Sequence, residues 1–161
     1  MTYQYFSKSI CKKVEILNNE IQVGHIQFNN WKSLVEAEIN SKKYIFKKKS
    51  FWKSCMIMYQ SDTQEAIAEI HFDLWKSKIK IMFYSGETYS MNPTDFWHRN
   101  WMISSENFET IEFLKTKSFW NQEGKIISNF KTPQKSDLLT LIGVFIIFLK
   151  MRNAAAVAAT T

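Results

Sequence analysis

Apolar and polar residues alternate over short stretches along most of this 161-residue chain. No segment between residues 3 and 131 keeps a helical period for long. Short alternating stretches bounded by Asn, Ser, Asp or Gly are typical of β-strands. The pattern therefore predicts about twelve strands: Tyr3–Ile10, Lys13–Leu17, Ile21–Phe28, Ser33–Ile39, Lys43–Lys48, Ser54–Gln60, Glu65–Phe72, Ser77–Tyr84, Glu87–Met91, Phe96–Ser104, Phe108–Lys115 and Lys125–Phe130.

In three of these strands the apolar residues share one face and the polar residues share the other. The apolar sets are Val35, Ala37 and Ile39, then Ala66, Ala68, Ile70 and Phe72, then Ile79, Ile81 and Phe83. Strands with one dry face and one wet face build sandwiches and barrels. The small side chains of Ala37, Ala66 and Ala68 leave room on the dry face for a bulky element.

The segment Leu138–Leu149 is apolar on every side and is the only long segment that looks helical. A helix without a polar face is buried in a membrane or inside protein. Twelve residues extend about 18 Å, which is short of the hydrocarbon core of about 30 Å. The pattern therefore predicts a core helix at about 136–152, followed by a flexible tail at 153–161. A C-terminal membrane anchor is the alternative.

The residues around this segment favour the buried helix. Extending the span to Ala159 would place Lys150 and Arg152 inside the membrane, at about 2.5–3.5 kcal/mol for each cation. Both cations suit the C-terminus of a helix. At the other end we expect Ser136 or Asp137 to be the N-cap, and Pro133 to separate the helix from the strands.

Composition predicts a single domain, 1–161, that is tightly packed and mainly β. Apolar residues make up 45% and aromatic residues 16% of the chain, with four glycines and two prolines. The net charge of +6 favours a membrane headgroup, a nucleic acid or an acidic partner, or simply a basic soluble protein. The two cysteines, Cys11 and Cys55, have no motif spacing and predict reduced thiols. The N-terminus lacks the apolar run of a signal peptide, so we expect the cytoplasm or its membrane face.

A short repeat suggests a duplicated half-barrel. Asn30-Trp31 precedes Lys-Lys-Ser-Phe-Trp at residues 48–52, and Asn100-Trp101 precedes Thr-Lys-Ser-Phe-Trp at 116–120. The offsets between the two copies are 70 and 68 residues, so order and spacing agree.

Many short strands followed by one apolar helix, Leu138–Leu149, resemble the tubby C-terminal-like superfamily. The most similar small members are the LURP-one-related and phospholipid-scramblase-like domains, and we expect a small bacterial member. The resemblance covers nearly the whole chain as a pattern of elements. It implies a closed barrel of twelve strands around a central C-terminal helix. It also implies binding without catalysis, since tubby domains bind phosphoinositide headgroups and scramblase-like domains associate with membranes.

Lysines are the candidate ligand-binding residues. Lys76, Lys78 and Lys80 would form one cationic row on a strand, and Lys47 and Lys49 precede the aromatic pair Phe51-Trp52. Lysines beside aromatic surface suit an anionic headgroup at a membrane. The alternative is a solvated barrel exterior whose lysines discourage edge pairing. Single-stranded nucleic acid could also use such a surface, but no nucleic-acid motif is present and we do not expect it.

Motifs of catalysis and metal binding are absent from the sequence. His25, His71 and His98 form no close ligand spacing, and neither cysteine lies in a nucleophile signature. We therefore expect no enzyme, no cofactor and no metal. The aromatic cluster Phe96–Trp101 predicts a strand with core aromatics, or a polar pocket at His98 and Arg99 beside Asp95.

The leading functional hypothesis is a non-catalytic module that binds anionic phospholipid headgroups weakly at a membrane surface. A protein-interaction or structural module without a lipid ligand is the first alternative. A tail-anchored membrane protein is the second.

Overall fold

The fold is a closed antiparallel β-barrel that surrounds one C-terminal helix. The computed structural model describes residues 1–8, 12–29, 34–50, 53–73, 78–117 and 122–159. Each strand pairs with its neighbours in sequence, and the first strand closes the barrel by pairing with the last. The described strands are β1 (Thr2–Ser7), β2 (Lys13–Asn18), β3 (Ile21–Phe28), β4 (Leu34–Ile39), β5 (Lys42–Ser50), β6 (Lys53–Gln60), β7 (Ala66–Phe72), β8 (Ile79–Phe83), β9 (Thr88–Pro93), β10 (Trp101–Ser105), β11 (Thr110–Lys117) and β12 (Gln122–Ser128). The mainly-β barrel predicted from the sequence is confirmed.

Two hairpins close with two-residue turns at the positions where the sequence predicts breaks. Asn19 and Glu20 have φ of 49° and 66°, and Asn40 and Ser41 have φ of 48° and 65°. Two successive left-handed residues make the turn that matches the twist of paired strands. These turns fix the register of β2 with β3 and of β4 with β5.

The inner face of the barrel is lined by most of the apolar residues that the alternation predicts, although Ala66 is only partly buried. Ala37, Ile70 and Ile81 are almost fully buried. The helix α1 (Pro133–Ala158) fills the interior and contacts β3, β4 and β11. Phe145 of α1 stacks on Phe46 of β5, with 4.0 Å between ring centroids. The uniformly apolar segment is therefore the core of the barrel.

A glycine lets α1 approach the wall closely. A Cβ atom at Gly143 would lie 2.1 Å from Cζ of Phe113, which is buried on β11. The absence of a side chain at this position therefore leaves the room that the Phe113 ring occupies.

The helix is longer at both ends than the sequence predicts. Thr132 is the N-cap and Pro133 is the first helical residue, so the expected cap at Ser136 or Asp137 is wrong. Proline suits the first position because it has no amide hydrogen to leave unpaired and its φ is already helical. At the other end α1 continues past Arg152 to Ala158 through an alanine-rich segment, and alanine has the highest helix propensity.

The predicted strand Phe96–Ser104 is wrong in its first half. β10 begins at Trp101, and residues 94–100 form a loop. The carboxylate of Asp95 accepts hydrogen bonds from the backbone amides of Arg99 and Asn100, at 2.8 and 2.7 Å. These bonds offer the backbone an alternative to strand pairing.

One helix among the described residues, α1, is long and apolar enough to cross a membrane. Core helices of soluble proteins pass the same test, and residues 139–148 of α1 are buried by the barrel wall. Residues 153–159 are exposed where the helix projects from the barrel.

Candidate functional site

The barrel has two chemically different ends. Since neighbouring strands are antiparallel, the connections after odd-numbered strands lie at one end and those after even-numbered strands lie at the other. The helix α1 begins at the second end, where Ser136 contacts Ser128, and finishes at the first, where Lys150 lies over Trp101. We call the first the aromatic end, for Phe96 and Trp97, and the second the acidic end.

The aromatic end exposes two large aromatic side chains in one loop. Phe96 is 88% exposed and Trp97 is 73% exposed, and their rings meet edge to face at 5.4 Å. Asp95 holds the loop in shape by accepting the backbone hydrogen bonds of Asn100 and Arg99, and these bonds lower the pKa of its carboxyl group. The interpretation of this cluster as a strand with core aromatics is therefore wrong for Phe96 and Trp97, although Trp101 is buried.

Exposed cations lie at the same end of the barrel as these aromatic side chains. Lys8, Lys12, Lys78 and Arg99 are exposed at the aromatic end. Two further cations lie on α1 near its exit: Lys150 Nζ lies 5.3 Å from the centroid of the Trp101 ring, and Arg152 lies 4.7 Å from that of Phe28. Partial burial lowers the pKa of Lys150.

Two tryptophans, Trp97 and Trp101, lie at the aromatic end among the residues that the structure describes. The other four tryptophans of the sequence lie outside the described residues: Trp31, Trp52, Trp75 and Trp120. The duplicated half-barrel suggested by the short repeat stays a prediction, because much of both copies lies outside the described residues.

The acidic end carries the opposite charge. Its described turns and the start of α1 contain seven carboxylates, against four lysines: Glu20, Asp62, Glu65, Glu87, Glu106, Glu109 and Asp137, with Lys42, Lys43, Lys131 and Lys135. Its described residues also expose two aromatic rings, Phe108 to 89% and Tyr84 to 56%. The two ends of the barrel therefore differ more clearly in the charge of their side chains than in their exposed apolar area.

The lysines predicted as a headgroup site do not converge. Lys47 and Lys49 lie on β5 and Lys80 lies on β8, three strands away, which is roughly 14 Å around the barrel. Lys47 Nζ lies 5.4 Å from the centroid of the Tyr59 ring, while Lys49 forms an ion pair of 2.6 Å with Glu69. Lys78 and Lys80 are exposed, and Lys76 lies outside the described residues.

Glu69 is the centre of a polar cluster on the outer wall. Its Oε1 accepts hydrogen bonds from Lys49 Nζ and from the Tyr84 hydroxyl, both at 2.6 Å. Its Oε2 lies 2.9 Å from Nε2 of His71 and 3.9 Å from Sγ of Cys55. The bonds from Lys49 and Tyr84 lower the pKa of Glu69 to about 2.

This cluster does not have the geometry of a Cys-His-acid triad. Sγ of Cys55 and Oε2 of Glu69 both approach the same ring atom, Nε2 of His71, at 3.8 and 2.9 Å. In a triad the acid orients the base through one ring nitrogen and the nucleophile uses the other. The three side chains instead point toward a common centre.

Among the described residues, a shallow groove that could hold a larger ligand lies on the outer wall. It has a volume of about 350 Å³ and opens over Gly124, beside Tyr5 and Lys125. A Cβ atom at Gly124 would overlap the Tyr5 ring, which packs against this glycine.

Comparison with protein-family models gives no match, and comparisons with curated proteins and with solved structures give none either.

Proposed function

We propose that the chain binds anionic lipid bilayers peripherally, with the aromatic end of the barrel facing the membrane. The observation that carries the proposal is the exposed pair Phe96-Trp97 at the end of the barrel that also exposes Lys8, Lys12 and Lys78, opposite the acidic end. We propose with it that the chain is related to tubby-like and scramblase-like domains. The barrel around a C-terminal helix supports that relationship at the level of architecture.

The aromatic pair supplies the apolar part of the contact. Tryptophan prefers the boundary between headgroups and acyl chains, because its ring is largely apolar and carries one polar group. Phe96 and Trp97 are anchored to the barrel by the Asp95 hydrogen bonds, so little order has to be gained when they insert.

The cations supply the electrostatic part. A lysine or arginine near an anionic membrane surface contributes about 1 kcal/mol, and this contribution decays within a Debye length. Lys8, Lys12 and Lys78 are spread across the aromatic end, whereas the seven carboxylates of the acidic end face away from the membrane in this orientation. Binding is therefore oriented as well as salt-sensitive.

The experiment compares the two ends by vesicle co-sedimentation. The full chain is mixed with phosphatidylcholine vesicles that contain or lack phosphatidylserine. We expect binding only to the anionic vesicles, weakened by salt. The double variant Phe96→Ser/Trp97→Ser should bind at least about tenfold more weakly, because two exposed aromatic side chains together account for more than about 1.4 kcal/mol of apolar burial.

Matched controls lie at the acidic end. Phe108→Ser removes an equally exposed ring, and Lys42→Glu/Lys43→Glu reverses two exposed lysines; both variants should bind like the unmodified chain. Lys8→Glu/Lys12→Glu/Lys78→Glu should lose the salt-sensitive part of binding. If Phe108→Ser weakens binding as much as the double variant, or if no vesicle is bound, the proposal is wrong. A defined oligomer or a co-purifying protein would then favour the interaction module, and recovery only in detergent would favour the anchor.

A further inference from the structure

The outer wall of the barrel brings three metal-ligating side chains to a common centre. They come from two neighbouring strands: Cys55 from β6, and Glu69 and His71 from β7. His71 is the direct cross-strand partner of Cys55, and Glu69 lies two residues from His71 on the same face. We propose that Cys55, Glu69 and His71 form a zinc-binding site, independent of the membrane contact.

The separations of the three ligand atoms fit one metal ion. Cys55 Sγ lies 3.8 Å from His71 Nε2 and 3.9 Å from Glu69 Oε2, and the latter two atoms lie 2.9 Å apart. The point equidistant from all three lies about 2.1 Å from each, close to zinc bond lengths of about 2.0–2.3 Å to nitrogen, oxygen and sulfur. Only small side-chain shifts separate this arrangement from a coordinated one.

The carboxylate is already oriented for such a site. Lys49 and Tyr84 both bind Oε1 of Glu69, which leaves Oε2 directed toward His71 and Cys55. Partners of this kind fix the orientation of a metal-ligating group. The ammonium group of Lys49 also balances part of the negative charge that a thiolate and a carboxylate bring together.

The ligand set selects zinc over harder cations. Thiolate and imidazole suit zinc, whereas calcium and magnesium take oxygen ligands. Three protein ligands leave a fourth tetrahedral position for water, and the side chain of His71 is 42% exposed, so solvent reaches that side. Binding displaces the thiol proton of Cys55 and any proton on Nε2 of His71 to the buffer.

The test is a zinc titration of the full chain by calorimetry, after treatment with a chelator and its removal. We expect one zinc ion per chain, and cobalt in its place should give thiolate charge-transfer absorption. Cys55→Ser and His71→Gln should each weaken binding at least about tenfold. His25→Gln, on the wall at β3, and Cys11→Ser, outside the described residues, are the matched controls and should leave the affinity unchanged.

A second measurement uses only the unmodified chain, so it does not depend on whether the variants fold. Cys55 is 4% exposed, so iodoacetamide reaches it through local opening, and alkylation is followed in enough urea to be measurable without zinc. Zinc should slow this alkylation at least about tenfold, and peptide mass spectrometry separates Cys55 from Cys11. The proposal is wrong if zinc does not bind, if Cys55→Ser and His71→Gln, both with normal melting curves, keep the full affinity, or if Cys55 is alkylated equally fast with and without zinc. None of these results would bear on vesicle binding, which uses other residues.

Discussion

Both ends of the barrel hold the helix through a cation over an aromatic ring, with Lys135 over Phe83 at the acidic end, but the acidic end adds hydrogen bonds to the one carboxylate of the helix, Asp137. At the acidic end, the Ser136 hydroxyl donates to Ser128 at 2.7 Å, and Asp137 accepts hydrogen bonds from Tyr3 at 2.5 Å and Asn40 at 2.7 Å. Burial and the bond to Asp137 raise the pKa of Tyr3. At the aromatic end, Lys150 and Arg152 lie over aromatic rings.

This difference separates two ways of holding the helix. Hydrogen bonds to a carboxylate are directional and are lost when either partner moves. A cation over a ring tolerates small shifts, because it is attracted to the whole face of the ring. The helix is therefore held more tightly where it enters the barrel than where it leaves.

The largest effect is expected from a charge placed in the part of α1 that lies between the two ends. Phe145→Asp buries an unpaired carboxylate where a ring now stacks on Phe46. We expect a loss of at least about 4 kcal/mol in the free energy of unfolding, or failure to fold, measured by urea denaturation followed by circular dichroism.

Val157→Asp is the matched control on the same helix. Val157 is 65% exposed beyond the barrel, so the change should cost less than about 0.5 kcal/mol. A normal denaturation curve for Phe145→Asp would show that α1 is not the core, and the distinction between its two ends would lose its basis.

A smaller effect is expected from removing the polar anchor at the acidic end. Asp137→Ala leaves the Tyr3 hydroxyl and the Asn40 amide without this acceptor and should cost about 1–3 kcal/mol in urea denaturation. Lys150→Met, at the aromatic end, removes the cation over the Trp101 ring but keeps its aliphatic chain, and should cost less than Asp137→Ala. Equal losses in the two variants would contradict the claim that the ends hold the helix differently.

The fold can be predicted from local patterns, because the order of apolar and polar residues along the chain indicates which side chains are buried. Residues 79–83 alternate in burial as they alternate in sequence, and a segment that is apolar on all sides has no place on a barrel surface. The helix ends are less predictable, since Pro133 favours both the end of one element and the first turn of the next. Residues 153–158 have no packing partner that the sequence reveals, yet they continue the helix by propensity.

The candidate sites depend on contacts that local patterns do not contain. Phe96 and Trp97 have high strand propensity, but Asp95 holds their backbone in a loop. The pairing of Cys55 with His71 depends on the register of β6 and β7, which shifts at a bulge between Met58 and Tyr59. A sequence comparison of spacings along the chain cannot find ligands that meet across two strands.

The smallest expected effect is a pH-dependent change in stability at the acidic end, caused by Glu87. Hydrogen bonds from Lys135 of α1 and from Ser85 lower the pKa of Glu87 to about 2. A carboxyl whose pKa is lower in the folded state adds stability above its ordinary value of 4.5, and this stability is lost as the pH falls toward 2. Glu87→Gln should therefore be less stable than the unmodified chain at pH 6. The difference should be less than about 1 kcal/mol, because the side chain is 44% exposed, and it should vanish near pH 2.

The control uses Lys135→Gln as the background. If the ion pair to the helix is the cause, adding Glu87→Gln to Lys135→Gln should change stability much less at pH 6. A pH-independent difference in both backgrounds would assign the effect to packing and remove this contact from the polar anchor of the acidic end.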